Sequence, residues 1–395
     1  NRSTSVYFPE HVFPMLPEKL SNGVCSLNEG VDRLTLSCII KFDLTGKVKE
    51  SYITPSVIKS IARTTYSGVQ KVIDGEILDE KYSNLKEDIL LANELAELLT
   101  KRREEEGVID LDAIESEIKV EQGIIKVSAF KQTKAHKLIE EFMIMANVCV
   151  AEYLFYSDNL CVYRTHGKPE EDRLENFYKL LDTLGVKHKK SKKEVFSKDF
   201  QLILKNTAST PYYSVINRVM LRTMQKAKYT PENLGHFGLS LKCYCHFTSP
   251  IRRYPDLTVH RILKDFIKNG LNKKDYSELV YAVSEHSSEK ERNAIEAERT
   301  VDDYYKVLYL ADKVNEEFSA VISGVSAFGF FAELECGVEG LVKLETLKGN
   351  RRYQFIENQY ALTNGKLTYR LGQVVKIKVA NVDLESKSAE FVLVD

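Results

Sequence analysis

Residues 318–334 read FSAVISGVSAFGFFAEL. Apolar side chains recur at every second position through Phe318, Ala320 and Ile322, and the apolar run returns from Phe328 to Leu334. That is the repeat of a β-strand with one face buried. Just upstream, residues 276–315 repeat at helical spacing, charged at first and then apolar through Val301, Tyr304, Leu308, Ala311 and Val314. The change of period predicts a long helix closing one unit at residue 315 and an all-β unit over 316–395. Gly340 to Val342, Val374 to Val379 and Ala389 to Leu393 supply the remaining strands, and five short strands suit a small closed barrel. A polar and aromatic stretch from Gly349 to Gly372, carrying Arg351, Arg352, Tyr353, Phe355, Tyr360, Tyr369 and Arg370, lies between them.

Working back toward the N-terminus, Leu34 to Ile40, the turn Asp43-Leu44-Thr45-Gly46 and Tyr52 to Thr54 read as a hairpin. Helical spacing returns over 85–105, 133–156, 170–184 and 254–269. Strands and helices in this order give an α+β class, with strands surrounded by helices in the first unit and a five-stranded barrel in the second. At 395 residues, with 43% hydrophobic and 29% charged residues, the chain has the composition of a soluble globular protein of two or three domains. No apolar run has the length of a membrane span. The opening NRSTSVYFPEHVFP does not read as a signal peptide. It lacks a methionine as well, so the chain is expected to be part of a longer protein. Seven scattered cysteines suit a reducing compartment, the cytoplasm. Cys243, Cys245 and His246 lack the spacing of a zinc site, and alternating Leu241, Cys243 and Cys245 are expected to form one face of a strand.

Residues 246–257, HFTSPIRRYPDL, carry the first chemical signal. Pro250 and Pro255 each fix a backbone dihedral and restrict the residue before them. Arg252 and Arg253 between them are thereby aimed, and a guanidinium fork matches phosphate oxygens. A formal charge of -1 and a pI near 6.8 do not advertise nucleic-acid binding, although a local groove can be positive on a neutral protein. Lys187 to Lys193, KHKKSKK, is one basic concentration, and such runs are more often solvated loops.

The last eighty or so residues resemble the RNA-binding OB domain named after ribosomal protein S-one, through GVSAFGFFAELECGVEGLVKLETL and LGQVVKIKVANVD. The resemblance implies that Phe328 and Phe331 face outward and stack on bases, that Phe330 fills the barrel, and that Lys343 stands where a histidine is common. The preceding residues resemble the catalytic domain of the ribonuclease II and ribonuclease R family. The motifs are SVYFPEHVFPMLPEKLSNGVCSLN at 5–28, KLIEEFMIMAN at 137–147, YRTHGKP at 163–169, HFGLSLKCYCHFTSPIRRYPDLTVHR at 236–261 and AERTVDDY at 297–304. MLPEKLSNG and TSPIRRYPDL are closer to the ribonuclease R branch.

The resemblance implies a 3'-to-5' exoribonuclease that hydrolyses single-stranded RNA to nucleoside 5'-monophosphates with two Mg ions. By motif position Arg252 is the catalytic arginine and Arg253 a support for the RNA backbone. Tyr7 would stack on a base near the cleavage point, and Tyr66 would lie near the terminal nucleotide. Glu140 or Glu141, about 100° apart on a helix, would orient that nucleotide, and Glu298 belongs to the same region. The family's Mg-binding aspartates are expected upstream of Asn1. Asp110, Asp112, Asp302 and Asp303 do not stand in the matching context.

The isolated chain is therefore expected to bind RNA without cutting it, with no metal ligands of its own. Its partners would be RNA and, where the protein has been divided, an N-terminal fragment of the same protein. Two alternatives remain at this point. One is a non-catalytic RNA-binding protein of this descent. The other is a scaffold in a ribosome-associated or RNA-degrading assembly, with residues 349–372 as its docking surface.

Overall fold

The computed structural model describes residues 2–76, 80–111, 116–189, 195–210, 212–270, 273–349, 352–356 and 359–394. Asp112, the Lys190 to Lys193 part of the basic run and Arg351 lie outside the described residues.

The chain begins with β1 (Val6–Tyr7), β2 (Val12–Phe13), β3 (Asp32–Phe42), β4 (Val48–Lys59), α1 (Tyr66–Ile73), α2 (Glu80–Asn84), α3 (Lys86–Glu106), β5 (Ser116–Glu121) and β6 (Ile124–Ala129). It continues through α4 (Lys134–Tyr156), β7 (Tyr163–Thr165), α5 (Glu171–Thr183), α6 (Ser197–Thr207), α7 (Tyr213–Thr223), β8 (Lys228–Thr230), α8 (Tyr254–Asn269) and α9 (Lys273–Ala311). After α9 come β9 (Glu317–Ser326), β10 (Gly329–Leu334), β11 (Glu339–Lys343), β12 (Gln354–Ile356), β13 (Ala361–Thr363), β14 (Thr368–Arg370), β15 (Val374–Asp383) and β16 (Ser388–Leu393).

Among the described residues ahead of α9, the strands pair two by two as antiparallel ribbons. The β3–β4 and β7–β8 ribbons share a core with helix α4. Val150, Ala151 and Leu154 are fully buried, and the core they start takes in Ile53, Cys161, Cys245, Phe247, Val259, Ile262 and Leu263. Leu36 and Cys38 of the β3–β4 hairpin close it. This core joins α4 to α8 across the HFTSPIRRYPDL loop. A second core is built by α5, α6 and α7, around Phe177, Phe200, Ile216 and Met220.

The five expected strands close into a barrel in the order β10-β11-β16-β15-β9. Phe330, Ile377, Val379 and Phe391 fill it. The described residues between Gly349 and Gly372 include a small sheet β12-β13-β14, and Tyr353, Leu362 and Tyr369 pack on the same core. The barrel and the unit ahead of it are tied by the Arg218–Glu333 ion pair and by Ser116 Oγ donating to the Cys336 carbonyl at 2.8 Å.

One expectation fails. Leu241 to Cys245 is not a strand; it makes only the single bridges His236–Leu241 and Tyr163–Cys245. Cys243 and Cys245 plug the α4–α8 core, but Tyr244 between them is buried too, so burial does not alternate and no ladder runs alongside.

Candidate functional site

The residues from His246 to Leu257 are held from three directions. The carbonyl of Ser249 accepts the amides of Arg252 and Arg253 at 3.2 and 3.0 Å, a tight turn just after which Pro255 enters the first turn of α8. From α4, Asn147 is 2% exposed. Its Oδ1 accepts the Phe247 and Thr248 amides at 2.9 and 3.2 Å, and its Nδ2 donates to Tyr244 Oη at 3.1 Å. From α8, Asp256 Oδ1 accepts the Ser249 amide at 2.8 Å, and His260 Nε2 meets the Phe247 carbonyl at 2.8 Å.

The third hold is the N-terminal arm. The Ser5 amide donates to the Arg252 carbonyl at 3.0 Å and the Tyr254 amide to the Ser3 carbonyl at 2.9 Å, while Thr4 Oγ1 donates to the Arg252 carbonyl at 3.2 Å. Arg252 is thus fixed by its backbone. Its side chain is exposed and makes no ion pair with a described residue.

Arg253 departs from the reading as an RNA contact. Its Nε and Nη2 donate to Asp256 Oδ2 and Oδ1 at 2.9 and 2.8 Å, and its side chain is 14% exposed. The reason is local: Arg253 is the N-cap of α8, three residues before Asp256, so the two side chains meet across the first turn. A fork–fork pair of this kind takes up the Nε and Nη2 edge of the guanidinium.

The arm that grips Arg252 also carries Tyr7, which is half-exposed. The Tyr7 amide donates to Glu298 Oε1 of α9 at 2.7 Å. Arg252 and Tyr7 are therefore linked through the backbone bonds of the arm, and Glu298 joins them through its carboxylate. A second group forms where α1 meets α4. The Tyr66 ring stacks on His136 at 4.0 Å between centroids, and Glu140 lies one turn further along the same face of α4. Glu140 is half-exposed, accepts from Gln132 Nε2 at 2.7 Å and lies 4.0 Å from Arg103. Glu141 has turned inward to full burial, beside Arg103 at 3.5 Å and Thr100 at 3.1 Å. Burial pushes its carboxyl pKa up, against the opposing pull of Arg103. The choice between the two glutamates thus falls on Glu140 for any surface role. Glu140 and Asn147 lie two turns apart on α4, so the groups are offset by about 10 Å along its axis.

On the barrel, Phe328 is exposed and Phe330 fully buried. Phe331 is half-buried and meets Phe328 edge to face at 6.2 Å. Gly329 separates them with φ 148°, where a Cβ would strike the Val342 carbonyl; only glycine makes this turn without strain. Lys343 pairs with Gly329 across the ladder and Leu341 with Phe331, so Lys343 shares the Phe331 face. Its ammonium is held by Glu390 at 2.6 Å.

Behind the arginine loop lies a set of histidines. His166 Nδ1 accepts the Gly238 amide at 2.9 Å, so its Nε2 carries the proton that is donated to the Gln225 carbonyl at 2.7 Å. His246 Nδ1 lies 2.9 Å from Tyr229 Oη. Arg164 covers the Tyr229 ring at 4.7 Å and pairs with Glu291 at 2.7 Å. Burial, His166 and Arg164 hold His236 down to about 3 from an ordinary 6.5, and burial with Arg253 holds His246 well below its usual range.

The sign follows. Above pH 6.5 both folded and unfolded chains keep His236 neutral, whereas from 6.5 down to about 3 the unfolded chain takes a proton that the folded chain refuses, so stability falls. The expected outcome is a melting temperature that drops on acidification below pH 6.5, with a shallower drop in His236→Asn. An unchanged slope in that variant would assign the acid sensitivity to other groups.

Among the described residues no group of three or more His, Cys, Asp or Glu side chains is arranged to hold a metal ion. Asp110 is paired with Lys137 and Asp303 with Arg299. Cys243 and Cys245 are buried, and burial raises both thiols. The described side chains do not make up a Mg site.

The RNB domain family matches residues 1–269, and the S1 RNA binding domain family matches residues 311–392. The chain belongs to the RNB domain family. This RNB chain is 40% identical to Ribonuclease R of Aquifex aeolicus (strain VF5), over 100% of this chain and 57% of the relative. It is 38% identical to Ribonuclease R 1 of Lactococcus lactis subsp. lactis (strain IL1403), over 99% of this chain and 49% of the relative. The chain spans about half the length of the curated relatives it matches. Among solved structures, Mycoplasma genitalium RNase R in complex with ribose methylated single-stranded RNA superposes with a TM-score of 0.91 at 31% identity. That match covers 99% of this chain and 63% of the other.

Sequence reasoning did not assign roles to Asn147, Asp256, His136 or Arg164. Asn147 ends the KLIEEFMIMAN motif and Asp256 follows Arg253 at helical spacing. A polar residue at a helix position otherwise facing the core was the available signal.

Proposed function

We propose that the complete protein is a Mg-dependent 3'-to-5' exoribonuclease releasing nucleoside 5'-monophosphates, and that this chain supplies its RNA clamp and catalytic arginine. One observation carries the reading: Arg252 is fixed through its carbonyl by the arm that bears Tyr7, while its guanidinium is left exposed and unpaired among the described residues. A fixed, unpaired guanidinium is suited to stabilise charge accumulating on a phosphate. Tyr7 presents a ring to a base beside it. Tyr66 and Glu140, one α4 offset away, would hold the terminal nucleotide.

Phe328 and Phe331 would stack on upstream bases, with Lys343 as a nearby charge. The catalytic unit is assigned to 1–315 and the RNA-binding barrel to 316–395, supported by the end of α9 at Ala311 and the start of β9 at Glu317. Mg dependence rests on family resemblance. The chain alone is expected to bind RNA without cutting it. A cytoplasmic site of action agrees with cysteines that are all free, and no described helix is long and apolar enough to cross a membrane.

The RNA clamp is tested with a labelled single-stranded oligoribonucleotide at fixed salt, since phosphate contacts make affinity salt-dependent. Phe328→Ala and Phe331→Ala are each expected to weaken binding by about 1–3 kcal/mol with an unchanged melting temperature. Unaltered affinity in both would remove the barrel face from the RNA path.

A further inference from the structure

We infer that Asp256 is the positioning residue of Arg252, acting through Arg253, and that the second arginine of the pair serves the first. The inference rests on the reading of Arg252 given above. Asp256 is fully buried, and its two oxygens are spent on three bonds: Oδ1 accepts the Ser249 amide and Arg253 Nη2, and Oδ2 accepts Arg253 Nε. These partners bracket Arg252. Ser249 opens the turn whose carbonyl accepts the amides of Arg252 and Arg253, and Arg253 closes it.

One carboxylate thus fixes both ends of a turn only five residues long, from Ser249 to Arg253. Asn147 and the Ser3 to Ser5 arm hold the flanks and the Arg252 carbonyl, but neither touches the Ser249 amide or the Arg253 side chain. Without the carboxylate the ends of the turn are joined only by the backbone bonds from the Arg252 and Arg253 amides to the Ser249 carbonyl, and nothing among the described residues holds the Arg253 side chain or the Ser249 amide. The Arg253 guanidinium, freed beside Arg252, would then compete for the phosphate from a different origin. Because effective catalysis requires a donor already aimed where charge develops, the loss should appear in turnover rather than in substrate binding.

The test uses the full-length protein with Mg and single-stranded RNA. Asp256→Asn preserves shape and one acceptor while removing the charge. It is expected to lower kcat by about 10²-fold, the scale of a lost transition-state donor, with KM within about threefold of wild type. In an Arg252→Ala background the same substitution is expected to cost nothing further, because residues that act as a unit are non-additive.

A structural role alone would multiply the two losses, and that result overturns the inference. So does wild-type turnover in Asp256→Asn. Should Asp256→Asn not fold, Arg253→Met/Asp256→Leu removes both charges at similar volume and is expected to fold with the same kcat loss; wild-type kcat in that variant overturns the inference. Full activity in Arg252→Ala would instead overturn the function assigned to Arg252, a distinct outcome.

Discussion

Arg252→Ala in the full-length protein with Mg is expected to slow RNA hydrolysis by about 10²–10³-fold, the cost of removing one donor aimed at developing charge, while RNA affinity changes little. The geometry gives the reason for the split. The carbonyl of Arg252 makes the bonds to Ser5 and Thr4, so alanine keeps every backbone contact of the turn. The fold of the loop and the place of Tyr7 survive, and only the exposed guanidinium is lost. In the proposed clamp RNA would be held at several bases by stacking, so one phosphate contact would weigh little in affinity. A fall in affinity as large as the fall in rate would make Arg252 an anchor for the phosphate in the ground state.

Asn147→Ala is expected to destabilise the protein by about 3 kcal/mol, because it orphans the buried Phe247 and Thr248 amides and removes the donor to Tyr244, at about 1–3 kcal/mol per unsatisfied group. The side chain is 2% exposed, so there is little room for solvent to replace it. A lower urea midpoint with an unchanged m-value is the expected result. A change under about 0.5 kcal/mol, the range of a surface substitution, would mean that the loop finds other partners. Since Asn147 is the α4 contribution to the arginine loop, the variant should lose turnover beyond what its unfolded fraction explains.

Much of this was legible in the sequence. The helices 134–156, 171–183 and 254–269 announce themselves by apolar spacing, and the barrel by the switch to a period of two after Glu316. Arg252 stood out because two prolines frame it. What periodicity does not encode is which groups meet across the chain. The bond from Ser5 to Arg252 joins residues far apart in sequence, and no local pattern specifies it.

The two arginines looked equivalent in HFTSPIRRYPDL, yet Asp256 withdraws one of them. Glu140 and Glu141 could be placed on different faces of α4, but only the packing of α3, with Thr100 and Arg103, against that helix shows that Glu141 is the buried one. Leu241, Cys243 and Cys245 alternate in residue type like a strand, and the α4–α8 core does receive Cys243 and Cys245, but Tyr244 between them is buried as well. Alternation of residue type does not make a strand, which needs a partner ladder besides.

The central claim is that the exposed, fixed Arg252 belongs to an enzyme that shortens RNA from its 3' end. It is tested most directly by incubating a 5'-labelled single-stranded RNA with the full-length protein and Mg, following product length and released nucleotides together. The account predicts a descending ladder of 5'-labelled products with nucleoside 5'-monophosphates, both slowed in Arg252→Ala. RNA that is bound but neither shortened nor converted to monophosphates would contradict it.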